Sequence, residues 1–144
     1  MNLYRHPPAA AAKALLAAAG LPTADLAAEH FTHFIASGPT HAPEALIGLQ
    51  PYGEVALLRS LVVSPATRGT GYGSALVAEI EAYAQQLGVR ELYLLTNSAE
   101  TFFSHRGYSS IERASVPEVI RQTAEFSSLC PASAVCMHKW IEAR

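Results

Sequence analysis

The stretch EVALLRSLVVSPATRGTGYGS, residues 54–74, constrains this chain more than any other. Its first ten residues, Glu54 to Val63, form a long run that is β-branched toward the end and bounded by turn residues, which predicts a strand. From Ser74 onward Leu76, Val77, Ile80, Tyr83, Ala84 and Leu87 recur at helical spacing until Gly88 stops them. Between strand and helix lie Arg68, Gly69, Gly71 and Gly73, with no acidic residue. A strand ending at Val63 and a helix beginning near Gly71 or Tyr72 leave amide N–H groups unpaired at the positive end of the helix dipole. Glycines let an anion approach that main chain, and Arg68 adds a fixed positive charge. Phosphate or pyrophosphate is the natural occupant; a turn serving only chain reversal is the competing reading. The loop is not a Walker site, since no Gly-Lys-Ser/Thr occurs, and Gly69-Thr70-Gly71-Tyr72-Gly73-Ser74 places its third glycine wrongly for a dinucleotide fingerprint.

The flanking sequence alternates elements in the same way. Leu3 to His6 reads as a short strand and Ala9 to Ala19 as a helix stopped by Gly20. Thr23 or Asp25 can cap a second short helix through Glu29, and Phe31 to Ala36 looks extended. Ala45 to Gln50 is a strand, and Pro51-Tyr52-Gly53 is turn chemistry pointing to a hairpin with the strand at 54–63. After the long helix come a strand over Glu91 to Thr96, a helix over Ala99 to Arg106, a short strand over Tyr108 to Ile111, a helix from Val116 to Phe126 and a final strand over Val135 to Ile141. The fold class is α+β around a mixed sheet, in one domain spanning 1–144.

Ten Lys plus Arg against twelve Asp plus Glu give a formal charge of −2, which offers no general attraction for nucleic acid or an anionic membrane, so an anion site must be local. Cys130 and Cys136 are too few for a disulfide scaffold and fit a reducing compartment, the cytoplasm by default. Ala9 to Ala19 is too short for a membrane span, is interrupted by Lys13 and lacks the basic start of a secretory signal. Six histidines show no ligand spacing such as HExxH, so no metal is expected.

Arg68 to Gly73 matches the Gln/Arg-x-x-Gly-x-Gly/Ala signature of the GNAT acyltransferases, behind a Leu-x-Val-x-Pro strand end at Leu61, Val63 and Pro65. The resemblance spans Glu54 to Ile111 and includes Leu94-Leu95-Thr96-Asn97 and the string from Thr101 to Tyr108, which looks like the family's Phe-Tyr-x-x-x-Gly-Phe ending. It implies a mostly antiparallel central sheet flanked by helices and splayed at an acetyl-CoA site. In that family the loop amides hold the pyrophosphate and the strand end carries the pantetheine through main-chain bonds. Those roles fall on Leu61, Val62 and Val63, and on Arg68, Gly69, Thr70, Gly71, Tyr72, Gly73 and Ser74. Asn97, Phe102, Phe103 and Arg106 are implied as further cofactor contacts. The C-terminal string TAEFSSLCPASAVCM is similar to the small GNAT proteins of arsenic-resistance operons. The layout from Leu94 resembles, more distantly, the acetyltransferase domain of N-acetylglutamate synthases. The implied reaction is acetyl transfer from acetyl-CoA to the primary amine of a small, acidic amino-acid-like molecule, with a homodimer left open.

The family's usual helpers are partly replaced. Its strand glutamate falls on Leu57 and its thiolate-protonating tyrosine on Phe103. Glu54 and Cys130 are weak candidates for proton transfer, and catalysis by positioning stays open. By strict alternation Arg59 shares a face with Leu57, Leu61 and Val63, so it either pairs with a protein carboxylate or grips an acidic group of the acceptor. Arg113 and Arg121 are rival anion contacts. Thr96 and Ser128 are further acceptor contacts, Ser128 lying in a polar loop from Ser127 to Ser133 that could close over the acceptor. The two cysteines could bind soft arsenic, though a buried structural role is the commoner one. Leu57 and Phe103 also suit a second class of function, a non-catalytic acyl-CoA-binding module on the same fold.

Overall fold

The computed structural model describes residues 2–67, 69, 71–129 and 133–141. In chain order the elements are β1 (Leu3–Arg5), α1 (Ala9–Ala18), a 3₁₀ turn (Ala28–His33), β2 (Phe34–Ser37), β3 (Ala45–Tyr52), β4 (Val55–Val63) and a 3₁₀ turn (Pro65–Thr67). Then come α2 (Tyr72–Gln86), β5 (Glu91–Thr96), α3 (Glu100–Ser104), β6 (Ser109–Ser110), a 3₁₀ turn (Arg113–Ser115), α4 (Glu118–Arg121), a π-type turn (Glu125–Leu129) and β7 (Val135–Trp140). The strands form one seven-stranded sheet in the order β1-β2-β3-β4-β5-β7-β6. Pairing is antiparallel for β1 with β2, β2 with β3, β5 with β7 and β6 with β7, and parallel for β4 with β5, where α2 supplies the crossover that parallel strands need.

The chain divides into two compact units. The first comprises residues 1–50 and 59–83. Its core gathers Ala12 and Leu16 of α1, Leu26, Phe31, Phe34 of β2, Leu46 of β3 and Val62 of β4. Gly20, at φ +74°, ends α1, with the Leu21 amide donating back to the Leu16 carbonyl. Phe34 stands opposite Gly48 in the β2–β3 register, and its ring occupies the space where a Cβ on Gly48 would sit. The helix expected from Thr23 to Glu29 is replaced by a turn and the 3₁₀ segment at 28–33, which carries Phe31 into the core. The reason lies in Asp25: its carboxylate faces Arg59 and caps nothing, while His30 Nδ1 accepts the Ala27 amide instead (2.8 Å).

The second unit comprises residues 51–58 and 84–144. Its core holds Leu57, Tyr93, Val116, Ile120, Phe126 and Cys136. The β5–β7 ladder runs without interruption from Glu91↔Trp140 to Thr96↔Val135, and the β4–β5 register runs from Val55↔Glu91 to Leu57↔Tyr93. The single helix expected over 116–126 is broken. After Pro117 only Glu118–Arg121 is α-helical, because the Thr123 hydroxyl donates to the Ile120 carbonyl (2.7 Å) and competes for the ladder, and a wider turn comes next at Glu125–Leu129.

Candidate functional site

In the first unit the glycine loop is anchored before it opens. The Ser64 amide donates to the Glu44 carbonyl (2.8 Å), and Thr67 closes the 3₁₀ turn through its amide and hydroxyl, both donating to the Ser64 carbonyl (3.0 and 3.1 Å). Gly69 and Gly71 then take φ of +82° and +85°. Among the described residues, a Cβ at either would meet no atom within 4 Å beyond its chain neighbours, so left-handed backbone and not crowding demands glycine there. Gly73 differs: it lies inside α2, where no positive φ requires it. The first loop-to-helix bond runs from the Ala75 amide to the Gly71 carbonyl (3.1 Å), so the Tyr72 and Gly73 amides precede the helical ladder at the positive end of a 15-residue helix. No acidic residue stands in its first turn. Leu61 and Val63 are half-buried and Val62 is buried in the core. Arg68 and Thr70 lie outside the described residues.

Arg59 is buried, and its guanidinium has no solvent exposure. Nη1 donates to Asp25 Oδ2 (2.5 Å) and Gln50 Oε1 (3.2 Å), Nη2 to Asp25 Oδ1 (3.2 Å) and the Pro22 carbonyl (3.5 Å), and Nε to Ser60 Oγ (2.9 Å). Of the two roles expected for Arg59, pairing with a protein carboxylate is the one found. Its assignment as the grip on an acceptor's acidic group is corrected, since both ends of its fork are already on Asp25. Strict alternation along β4 fails as well: Ser60 has φ +60°, left-handed backbone in mid-strand, so parity cannot be carried from Leu57 across to Leu61. The pattern of burial agrees, with Ala56 to Ser60 all buried and alternation resuming only at Leu61.

The second unit holds the other expected contacts. Thr96 ends β5 and its hydroxyl accepts the Ala99 amide (2.9 Å), which starts α3; Asn97 is exposed beside it. Phe103 is buried edge-on to Phe102 and Tyr108, a core residue and not a proton donor. Arg106 lies over the Phe102 ring (3.8 Å to the centroid) and donates to the Phe102 carbonyl (2.9 Å). Glu54, a candidate base, is corrected: it is exposed in the hairpin turn, and its carbonyl accepts the Arg90 amide (2.7 Å), at the opposite end of β4 from Val63. Leu57 is fully buried. Arg121 Nε donates to the Val116 carbonyl (2.9 Å), while Arg113 reaches the carbonyls of Phe126 (3.5 Å) and Ala134 (3.4 Å). Cys136 is buried in the core of this unit, and burial pushes its thiol up to about 11 against the opposing pull of Arg113. Cys130 and the Ser128 side chain lie outside the described residues. Among the described residues no group of three His, Cys, Asp or Glu could hold a metal ion, and no helix is long and apolar enough to cross a membrane.

A polar cluster in this unit has no counterpart in the motif. Glu91 Oε2 meets His138 Nδ1 at 2.6 Å, and the Tyr93 ring stacks on His138 (6.0 Å between centroids). Burial and the Glu91 carboxylate both raise the Tyr93 phenol. Nothing in the local pattern points to Asp25, Gln50 or Ser60 as partners of Arg59. The only available signal is an arginine inside an apolar strand, which demands a partner without naming it.

Residues 28–110, more than half the chain, match the acetyltransferase (GNAT) domain. The chain belongs to the GNAT acetyltransferase family. It is 36% identical over 72 residues to the amino-acid acetyltransferase of Ralstonia nicotianae, covering 49% of this chain and 16% of that protein. It is 34% identical over 83 residues to an uncharacterized N-acetyltransferase of Chlorobaculum tepidum, covering 58% and 51%. The fold is similar to that of N-acetylglutamate synthase from Neisseria gonorrhoeae, solved with coenzyme A and N-acetyl-glutamate, with a TM-score of 0.79 at 17% identity, over 98% of this chain and 35% of that one. The matched region covers only 16% and 51% of these two curated relatives.

Proposed function

We propose that this protein is an acetyl-CoA-dependent N-acetyltransferase that acylates the primary amine of a small amino-acid-like acceptor. One observation carries the reading: Gly69 and Gly71, left-handed and uncrowded by the described residues, directly precede the N-terminus of α2, whose first turn bears no carboxylate. That arrangement suits the pyrophosphate of acetyl-CoA. In the reaction the amine nitrogen attacks the thioester carbonyl, the C–N bond forms, the C–S bond breaks, and the sulfur leaves as a thiolate that takes up the equivalent of the proton the nitrogen sheds on becoming an amide. The ammonium form of the acceptor must first lose one. With hydrocarbon at Leu57 and Phe103, the proton passes to water and the acceleration comes from holding amine against thioester.

The relatives named for amino acids support an amino-acid acceptor. The finer reading, an acidic amino acid or an arsenical analogue of one, rests on N-acetyl-glutamate in the solved relative and on the C-terminal string, no longer on Arg59. Burial of Leu57 and Phe103 favours a second reading, an acyl-CoA-binding module without turnover. Release of free thiol from acetyl-CoA, measured with a panel of amino acids, decides between them. Release stimulated by acidic members supports the full proposal; release with neutral and cationic amines alike removes the acidic preference, and none with any acceptor leaves the binding module.

A further inference from the structure

Ser60 is a serine in left-handed backbone inside a nine-residue strand. Such a conformation is uphill for any residue with a Cβ and persists only where its surroundings over-determine it. The surroundings here are specific. Arg59 Nε holds the Ser60 hydroxyl at 2.9 Å, while the rest of the same guanidinium is forked onto Asp25 and hydrogen-bonded to Gln50 Oε1 and the Pro22 carbonyl. One wholly buried group therefore ties β4 to β3 and to the turn beyond α1, and it cannot swing into water. A left-handed residue in a strand redirects the chain beyond it. The next three residues are Leu61, Val62 and Val63, which lead into the glycine loop.

We propose that Arg59 and Asp25 form a positioning clamp that holds Ser60 left-handed and so sets the direction of the main chain at Leu61–Val63, where the acyl thioester is to be seated. This rests on the acetyltransferase reading above. Arg59 acts through Ser60 and does not touch substrate. A planar fork is required, because one edge must face the carboxylate while Nε faces the hydroxyl; a lysine ammonium satisfies one of these at a time.

The test compares Arg59→Ala, Arg59→Lys and Asp25→Asn, each alone and combined with Ser60→Gly, using acetyl-CoA and the amine that wild type acetylates best. With Ser60 present, Arg59→Ala should lower kcat about tenfold or more while the KM for acetyl-CoA stays within about threefold. Measured against Ser60→Gly, the same change should cost about twofold or less, because glycine takes positive φ unaided. Arg59→Lys should fall between. An equal kcat loss in both backgrounds overturns the clamp, and so does a loss confined to the KM of the amine, which would return Arg59 to acceptor binding. If Arg59→Ala does not fold, Asp25→Asn in the two backgrounds carries the comparison. Hydrogen exchange reads the clamp without turnover: in Asp25→Asn the amides of residues 60–63 should exchange about tenfold faster while those of Phe34–Ser37 hold. Unchanged exchange at 60–63 overturns the proposal. Absent turnover in wild type would remove the acetyltransferase reading and leave this exchange result to decide the clamp.

Discussion

Residues 59–72 and the β5–β7 ladder treat the same local rules in opposite ways. Along β5 and β7 the pairing runs unbroken from Glu91↔Trp140 to Thr96↔Val135, and Glu91 reaches His138 because register already sets their strands side by side. Between 59 and 72 the rules are broken repeatedly: an arginine is buried in a strand, a serine is left-handed, and two glycines turn the chain with positive φ. The exceptions cluster in the segment proposed above to seat acetyl-CoA, as expected where local cost is met for function. The charges differ too. Glu91 and His138 form an ion pair only while the imidazole is protonated, whereas the Arg59 guanidinium always carries its charge.

Matched neutralisations put the largest strain on this contrast. Asp25→Asn removes the carboxylate that faces a fully buried cation and should cost about 3 kcal/mol in urea unfolding. Glu91→Gln leaves the partly exposed His138 ring with an amide that can still share a hydrogen bond, and should cost about 1 kcal/mol. Equal losses would mean that the buried charge of Arg59 is better solvated than its geometry indicates.

The next effect is kinetic and tests the regular region. With its thiol pushed up to about 11 and its side chain packed against Leu57 and Tyr93, Cys136 should alkylate at pH 8 at least about a hundredfold more slowly in the folded protein than in urea. Peptide mapping keeps it separate from Cys130. Rapid labelling of folded Cys136 would show that the ladder opens locally. If the protein resides in a reducing compartment, the chain unfolded without reductant should show two titratable thiols.

A smaller effect is expected at the loop. Gly71→Val forces a β-branched residue to φ +85° and puts a side chain where no described residue now crowds the main chain, so acetyl-CoA affinity should fall about tenfold. Gly73→Ala, inside α2 without positive φ, should lose far less. Equal losses would show that bareness, and not left-handed backbone, is what the loop requires.

What the sequence made readable divides along the same line. The strand over Glu91–Thr96 is found where its apolar run places it, and the strand–glycine–helix order at 55–86 comes from turn chemistry and helical spacing, both local properties. Asp25 could not be assigned, because capping a helix and pairing a distant arginine call for the same residue type, and only the tertiary fold separates them. Alternation misplaced Arg59 relative to Leu61 because a single φ at Ser60 cancels a period-two rule, and serine carries no mark of it. Thr123 broke an otherwise helical pattern through one hydroxyl bond.

The smallest effect concerns His33, whose Nδ1 lies 2.6 Å from the Tyr83 hydroxyl beside the Arg5 guanidinium that covers the Tyr83 ring. Burial lowers its pKa below the ordinary 6.5. Between the folded value and 6.5 the unfolded chain therefore binds more protons than the native one, and the free energy of unfolding rises with pH across that window. Its contribution is present above the unfolded pKa and is lost as pH falls through the folded one. The chain has five other histidines, so the informative quantity is a difference. Because solvent screens this partly exposed ring, the melting temperature of wild type minus that of His33→Gln should shrink by only about a degree as pH drops from 7 to 5. If the difference grows instead, the imidazolium is held by its partners more strongly than burial opposes it, and the first unit would contain a pair that strengthens with acid.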